Sequence, residues 1–226
     1  WIDMEGNPYF YGLSSHENVE IKLYNKANPL KPWKTMGRMH DKYLIADGKI
    51  YILGGRNTYN YFLGDFPGHK NFDRDVLVVC DEPQKDNSVN QLWNYFETIW
   101  EQEDCRYFHN SKKLADRQSV KKAVLELQEG YQQYFEVNKE KICDTDYADE
   151  TFETEKIILL SNPIHTQAKE PVVWYQLGEL MKNAKERVKI HTPYIICNDM
   201  MYNTWEEIAQ KVPDFSIMTN SVANNG

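Results

Sequence analysis

At 226 residues, with 41% apolar and 13% aromatic content, the chain can form one large or two small domains around a real core. A formal charge of −8 excludes a chain-wide basic surface for nucleic acid or anionic lipid, so any anion site must be local. Cys80, Cys105, Cys143 and Cys197 lie far apart with no Cys-x2-Cys pair, which argues against a disulfide framework or a zinc site and for reduced thiols.

Residues 1–17 carry turn formers and aromatics without a sustained period. Val19, Ile21 and Leu23 then alternate with Glu20, Lys22 and Tyr24, the pattern of a half-buried strand. A proline-rich loop over residues 28–33 leads into the most informative stretch, residues 38–57.

Here Asp47-Gly48 stands between two strand-like runs, Tyr43-Leu44-Ile45 and Ile50-Tyr51-Ile52-Leu53, which predicts a hairpin closed by a two-residue turn with positive φ. The register that follows sets Ala46 opposite Lys49, Lys42 opposite Leu53 and His40 opposite Gly55, with Asn57 further along the same face. His40, Lys42, Gly55 and Asn57 are thereby expected to converge, and Tyr43 and Ile45 to face the other way. Asp47 is expected to serve the turn, because five residues of strand put it about 16 Å from Lys42. An imidazole nucleophile, an ammonium and an amide for phosphate oxygens, and glycines that let backbone approach a ligand are the parts that phosphoryl transfer needs.

After Asn57 comes an aromatic loop over residues 58–70, with Tyr59, Tyr61, Phe62 and Phe66, which could line a site or pack on its own hairpin. The apolar run Val76-Leu77-Val78-Val79-Cys80 suits a strand covered on both faces. Val89, Leu92, Trp93, Phe96, Ile99 and Trp100 recur at helical spacing, predicting a helix over residues 88–102 that buries both tryptophans. Residues 111–141 read as a mostly exposed helix or helix pair with a thin stripe of Val120, Val124, Leu127 and Tyr131.

Six acids between residues 143 and 155 lack the spacing of a calcium loop, since Ala148 and Asp149 fall where a ligand and a glycine are needed, and the segment is read as a solvated linker. Beyond it the expected order is strand 157–160, helix 171–185 with Val173, Leu177, Leu180 and Ala184 on one face, strand 188–191, helix 198–211 and strand 215–219. Strands alternating with helices imply parallel pairing and a layered sheet. No apolar run reaches the ~20 residues that span a bilayer, and no signal-peptide pattern is present.

The string His40-x-Lys42-x4-Asp47-x6-Gly54-Gly55-x-Asn57 resembles the HKD motif of the phospholipase D superfamily, H-x-K-x4-D-x6-G-S-x-N, at every spacing, with Gly55 in place of the usual Ser. Gly54-Gly55-Arg56-Asn57, then Asn71-Phe72-Asp73-Arg74-Asp75-Val76 and Phe96-x3-Trp100, look like its cardiolipin synthase branch. The resemblance implies an α/β fold, a layered mixed sheet with helices on both faces. It also implies two repeats, each ending in an HKD hairpin. Residues 1–142 would be the first repeat with a helical insertion, 143–155 the linker, and 156–226 the start of a second repeat. Thr192-Pro193-Tyr194 and Thr219-Asn220-Ser221 are similar to segments that precede the second hairpin, yet no second His-x-Lys-x4-Asp occurs. With its opening on Trp1-Ile2-Asp3, the chain reads as an internal segment.

The implied activity is that of a phosphatidyltransferase working through a phosphohistidine on a phosphatidylglycerol-like lipid. His40 would be the nucleophile or its acid partner, Lys42 and Asn57 the phosphate clamp, Gly54 and Gly55 the close backbone, and Asp47 a structural part of the motif. No metal or cofactor is implied. The implied partners are the lipid and the absent half with the second motif, the implied place is the cytoplasmic face of a membrane, and nucleic acid is disfavoured by charge. The alternatives are a phosphodiesterase or nuclease of the same superfamily completed by homodimerisation, and a non-catalytic scaffold domain.

Overall fold

The computed structural model describes residues 5–63, 67–80, 87–166 and 169–221; Phe66, the opening Trp1-Ile2-Asp3 and residues 222–226 lie outside them. Contacts divide the chain into two units, Trp1–Leu159 with Ile164–Gln167, and Leu160–Pro163 with Ala168–Gly226.

In the first unit the opening residues form a helix where no period announced one. Asn7 caps α1 (Pro8–Ser14) by accepting from the Tyr9 N–H at 2.9 Å, and Pro8 opens its first turn. The predicted strand over residues 19–24 shortens to β1 (Lys22–Tyr24), in which Leu23 alone is buried. The hairpin then forms from β2 (Tyr43–Ala46) and β3 (Ile50–Gly54), and β4 (Asp75–Val79) adds antiparallel to β3, giving the order β2-β3-β4.

Asp47 and Gly48 both take positive φ, 52° and 65°, as an Asp-Gly turn requires, and the Lys49 N–H donates to Ala46 O at 3.0 Å. The register differs from the expected one by a residue. Ala46 pairs with Ile50, Ile45 with Tyr51 and Tyr43 with Leu53. Lys49 drops out of the ladder with β2, and its carbonyl accepts from the Cys80 N–H at 2.8 Å instead. Such a slip exchanges which face each β3 side chain shares with β2. It decides the core: Tyr51, Val78, Val89 and Leu92 are buried, with Tyr43, Ile45, Leu53, Cys80 and Tyr95 packed around them. Tyr43 and Ile45 face inward as expected. The Tyr51 hydroxyl meets the Ser88 hydroxyl at 3.2 Å, so its polar end is satisfied inside.

The layer over that face is α2 (Ser88–Trp100), capped by Asn87, whose side chain accepts from the Asn90 N–H. Its buried stripe is Val89, Leu92 and Ile99; Trp93 is 43% exposed and Phe96 37%, so the expectation that α2 buries two tryptophans does not hold. Trp100 is half-buried, stacked on Phe96 and approached by the Lys22 ammonium. β4 is only partly covered: Val78 is buried, Leu77 and Val79 are half-buried and Val76 is 60% exposed, while Leu44 and Ile52 of β2 and β3, on the face away from α2, are 58% and 43% exposed.

β5 (Cys105–Tyr107) pairs antiparallel with β1 as a separate ladder. The charged segment is a helix pair, α3 (Lys112–Ala115) and α4 (Gln118–Cys143). Gly12 of α1 lies so close to α4 that a Cβ there would sit 2.7 Å from Val124 Cγ2, and Val120 and Ala123 are buried beneath it. Beyond that contact Leu127 and Tyr131 are exposed. The acidic segment holds one short 3₁₀ turn, Tyr147–Glu150.

Residues 157–160 form no strand; the Leu159 N–H donates to Gln91 Oε1 and its side chain joins the first core. In the second unit come α5 (Val172–Lys182), β6 (Arg187–His191), α6 (Asp199–Lys211) and β7 (Asp214–Met218). β6 and β7 pair in parallel, as the strand and helix alternation implied. Their core is Val188, Ile208 and Val212, joined by Met181, Ala184, Trp205 and Phe215. Of the apolar face read from the sequence, Leu177 and Leu180 of α5 are exposed, while Trp174 meets Trp205 edge-on and Gly178 is buried.

The protein is thus a mixed α/β chain. Among the described residues its strands form three small sheets, of two, three and two strands.

Candidate functional site

His40 and Lys42 lie in an extended segment, residues 37–42, that belongs to no helix or ladder and runs directly into β2. The backbone still begins to pair there, since the Gly54 N–H donates to Lys42 O at 3.3 Å. Lys42 therefore lies opposite Gly54 rather than Leu53.

The two motif side chains meet. The Lys42 ammonium donates to the His40 carbonyl at 2.7 Å and lies 3.0 and 3.2 Å from the ring nitrogens Nδ1 and Nε2. His40 is exposed and Lys42 half-buried, so both can reach a ligand at the open end of the hairpin. An imidazole beside a cation that is held by a weakly competing carbonyl is an arrangement that can exchange the carbonyl for a phosphate oxygen.

Gly55 and Asn57 are placed differently. β3 ends at Gly54, and the ladder does not carry Gly55 or Asn57 to the face of His40. Asn57 is half-buried in the irregular segment beyond the strand.

The glycine pair also has a different reason from the one expected. A Cβ on Gly54 would overlap Asp75 Oδ1, and one on Gly55 would lie 2.6 Å from Asp73 Oδ2. Acidic side chains from the approach to β4, rather than a ligand, occupy the space that the missing side chains leave. Asp73 fills the room that a Ser at position 55 would need.

Arg56 ties these parts together. Its Nε donates to Asp75 Oδ2 at 2.6 Å, Nη1 to Phe62 O at 2.7 Å and Nη2 to Asp73 O at 3.0 Å. One guanidinium thus holds the hairpin, the aromatic loop and β4, with one bond from each of its three nitrogens. The aromatic loop packs on itself, with Tyr59 stacked on Tyr61 at 5.3 Å and the Asn71 N–H donating to Tyr61 O.

Sequence reasoning missed two residues beside the motif. The residue between His40 and Lys42, Asp41, points the other way, and its Oδ2 accepts from the Tyr95 hydroxyl of α2 at 2.6 Å. Burial first, then this hydrogen bond, push the Tyr95 phenol far above its ordinary range; burial and the Asp41 charge push Tyr43 up to about 12. The available signals were strand alternation at Asp41 and the helical period that puts Tyr95 between Leu92 and Ile99. Asp47 lies at the turn, at the far end of β2 from Lys42. Among the described residues no three His, Cys, Asp or Glu side chains are grouped to hold a metal ion, and no helix is long and apolar enough to cross a membrane.

No family model matches the chain, and no solved structure matches it. It is similar to two proteins of Helicobacter pylori, from strains 26695 and J99, both described only as uncharacterized. Each is 24% identical over 240 residues, covering 94% of this chain and 45% of the relative. The chain therefore spans less than half the length of the curated relatives it matches.

Proposed function

We propose that the chain is part of a phosphatidyltransferase of the phospholipase D superfamily, cardiolipin synthase-like, acting on phosphatidyl lipids. The observation that carries this reading is the string from His40 to Asn57 together with the meeting of His40 and Lys42 at the mouth of the hairpin. In this reading a motif imidazole attacks the phosphodiester phosphorus, the P–O bond to the leaving alcohol breaks, and that alkoxide takes a proton from a second imidazole. The hydroxyl of a second phosphatidyl lipid then attacks the phosphohistidine, returns a proton to that second group and frees the ring. Lys42 would hold the non-bridging oxygens as charge builds on them. The second imidazole lies outside these residues, either in the same polypeptide, as the greater length of the relatives allows, or in a second copy.

The test is a substrate panel on the full-length protein: phosphatidylglycerol, single-stranded DNA and RNA, each with wild type and His40→Ala. Transfer of the phosphatidyl group, abolished by His40→Ala, is expected. Cleavage of nucleic acid alone would favour the nuclease reading, with a rate rising with protein concentration if a second copy supplies the acid. No His40-dependent turnover on any of them would leave the scaffold reading.

A further inference from the structure

Residues 37–42 hold the proposed catalytic pair, yet no ladder or helix fixes them. Two attachments bracket the segment. Upstream, the Asn25 amide donates to Lys34 O at 2.6 Å and Gly37 O at 2.7 Å, and Gly37 is pressed so close to Thr166 that a Cβ would lie 2.8 Å from its Cα. Downstream and nearer the chemistry stands the Tyr95 hydroxyl bond to Asp41.

Tyr95 is half-buried on α2, its ring 6.3 Å from that of Tyr43, and it belongs to the first core. Its position is therefore set by packing rather than by the segment it holds. In extended backbone, successive side chains point to opposite sides. Drawing Asp41 down onto α2 consequently turns His40 and Lys42 the other way, where the two meet.

We propose that Tyr95 and Asp41 are positioning residues for the His40–Lys42 pair, the phenol anchoring the middle residue of His-x-Lys so that the flanking imidazole and ammonium are held together on the open side. This rests on the proposed phosphoryl-transfer reading for its catalytic consequence, although not for its geometry. A donor is required at Tyr95, and the perturbed phenol keeps its proton through the neutral range. An acceptor is required at residue 41, and a neutral amide oxygen meets that need as well as a carboxylate. Because the bond is exposed, its loss should hardly change global stability, while a loosened imidazole slows the chemical step.

The experiment pairs two readouts on Tyr95→Phe, Asp41→Ala, Asp41→Asn and the double variant Asp41→Ala with Tyr95→Phe. The first is solution NMR of the His40 ring in this chain, including its contact with the Lys42 side chain. Tyr95→Phe and Asp41→Ala should shift the His40 ring signals and average out that contact, and Asp41→Asn should retain it. The second is steady-state kinetics of the full-length protein on phosphatidylglycerol. There kcat should fall about tenfold or more in Tyr95→Phe and Asp41→Ala with KM unchanged, recover in Asp41→Asn, and fall no further in the double variant. Unchanged His40 signals in Tyr95→Phe, or damage from Asp41→Asn equal to that from Asp41→Ala, would overturn the proposal. NMR changes as expected in a protein whose wild type shows no His40-dependent turnover would instead remove the functional reading and leave the anchoring in place.

Discussion

Asp47 carries a left-handed backbone at φ 52°, which Asn tolerates and β-branched residues do not. Asp47→Asn should change stability by less than ~1 kcal/mol and leave phosphate binding intact, whereas Asp47→Val should cost about 1–2 kcal/mol in chemical unfolding. Lost phosphate binding in Asp47→Asn at unchanged Tm would show that this carboxylate reaches the site. At Gly55 the Ser of the motif that this string resembles should be harmful here. Gly55→Ser drives a Cβ against Asp73 and should cost about 1–3 kcal/mol, relieved when Asp73→Ala is added. A neutral Gly55→Ser in thermal unfolding would mean that Asp73 does not occupy that space. The buried phenols give a pH dependence. Tyr43 is raised from 10.0 to about 12, by burial first and then by Asp41. The unfolded phenol ionises before the folded one, so the stability it contributes is complete below pH 10.0 and is lost as the pH climbs through about 12. Wild type should lose more stability than Tyr43→Phe in urea unfolding between about pH 9 and about pH 11. Equal losses would contradict the burial of that hydroxyl.

At the scale of elements, the strongest periods were legible and the faces were less so. Residues 88–102 announced α2, but a helical period does not say which side of a broad apolar surface is covered. α2 buries Val89, Leu92 and Ile99 and leaves Trp93 to solvent. The hairpin was legible from Asp47-Gly48, while its register depended on Lys49 bonding to Cys80 across the sheet, a tertiary fact that no local pattern carries. α1 was missed because seven residues show too little period, although Asn7-Pro8 was a start signal. At the site, His40 and Lys42 were readable from their spacing. The Asp41 bond to Tyr95, fifty-four positions away, and the Asp73 and Asp75 contacts with the glycines were not, because they arise from folding. Leu92, 1% exposed in the first core, should be among the costliest truncations: Leu92→Ala should lose about 2–5 kcal/mol in chemical unfolding, against a small change for the exposed Leu127→Ala. Similar losses for both would contradict the placement of the core on α2.

At the scale of the whole molecule, the first unit holds one His-x-Lys hairpin, and the second holds the parallel β6 and β7 without another. The three-stranded sheet leaves Leu44, Ile50 and Ile52 exposed on the face away from α2. His40 and Lys42 can hold an anion, so this chain alone should bind inorganic phosphate, with binding weakened by Lys42→Ala. On the proposed reading it should not turn substrate over, since the leaving alkoxide needs a general acid worth ~10²–10⁴ in rate, a part that this reading gives to a second motif imidazole outside these residues. Robust turnover by the isolated chain would contradict that division of labour. The proposed function is tested most directly by acid and base quenching of the full-length protein during turnover of phosphatidylglycerol labelled in its phosphate. Phosphoryl transfer through a motif imidazole predicts a protein-bound label that survives alkali and is lost in acid, missing from His40→Ala where His40 is the nucleophile and retained there where it is the acid partner; turnover without such a label would contradict it.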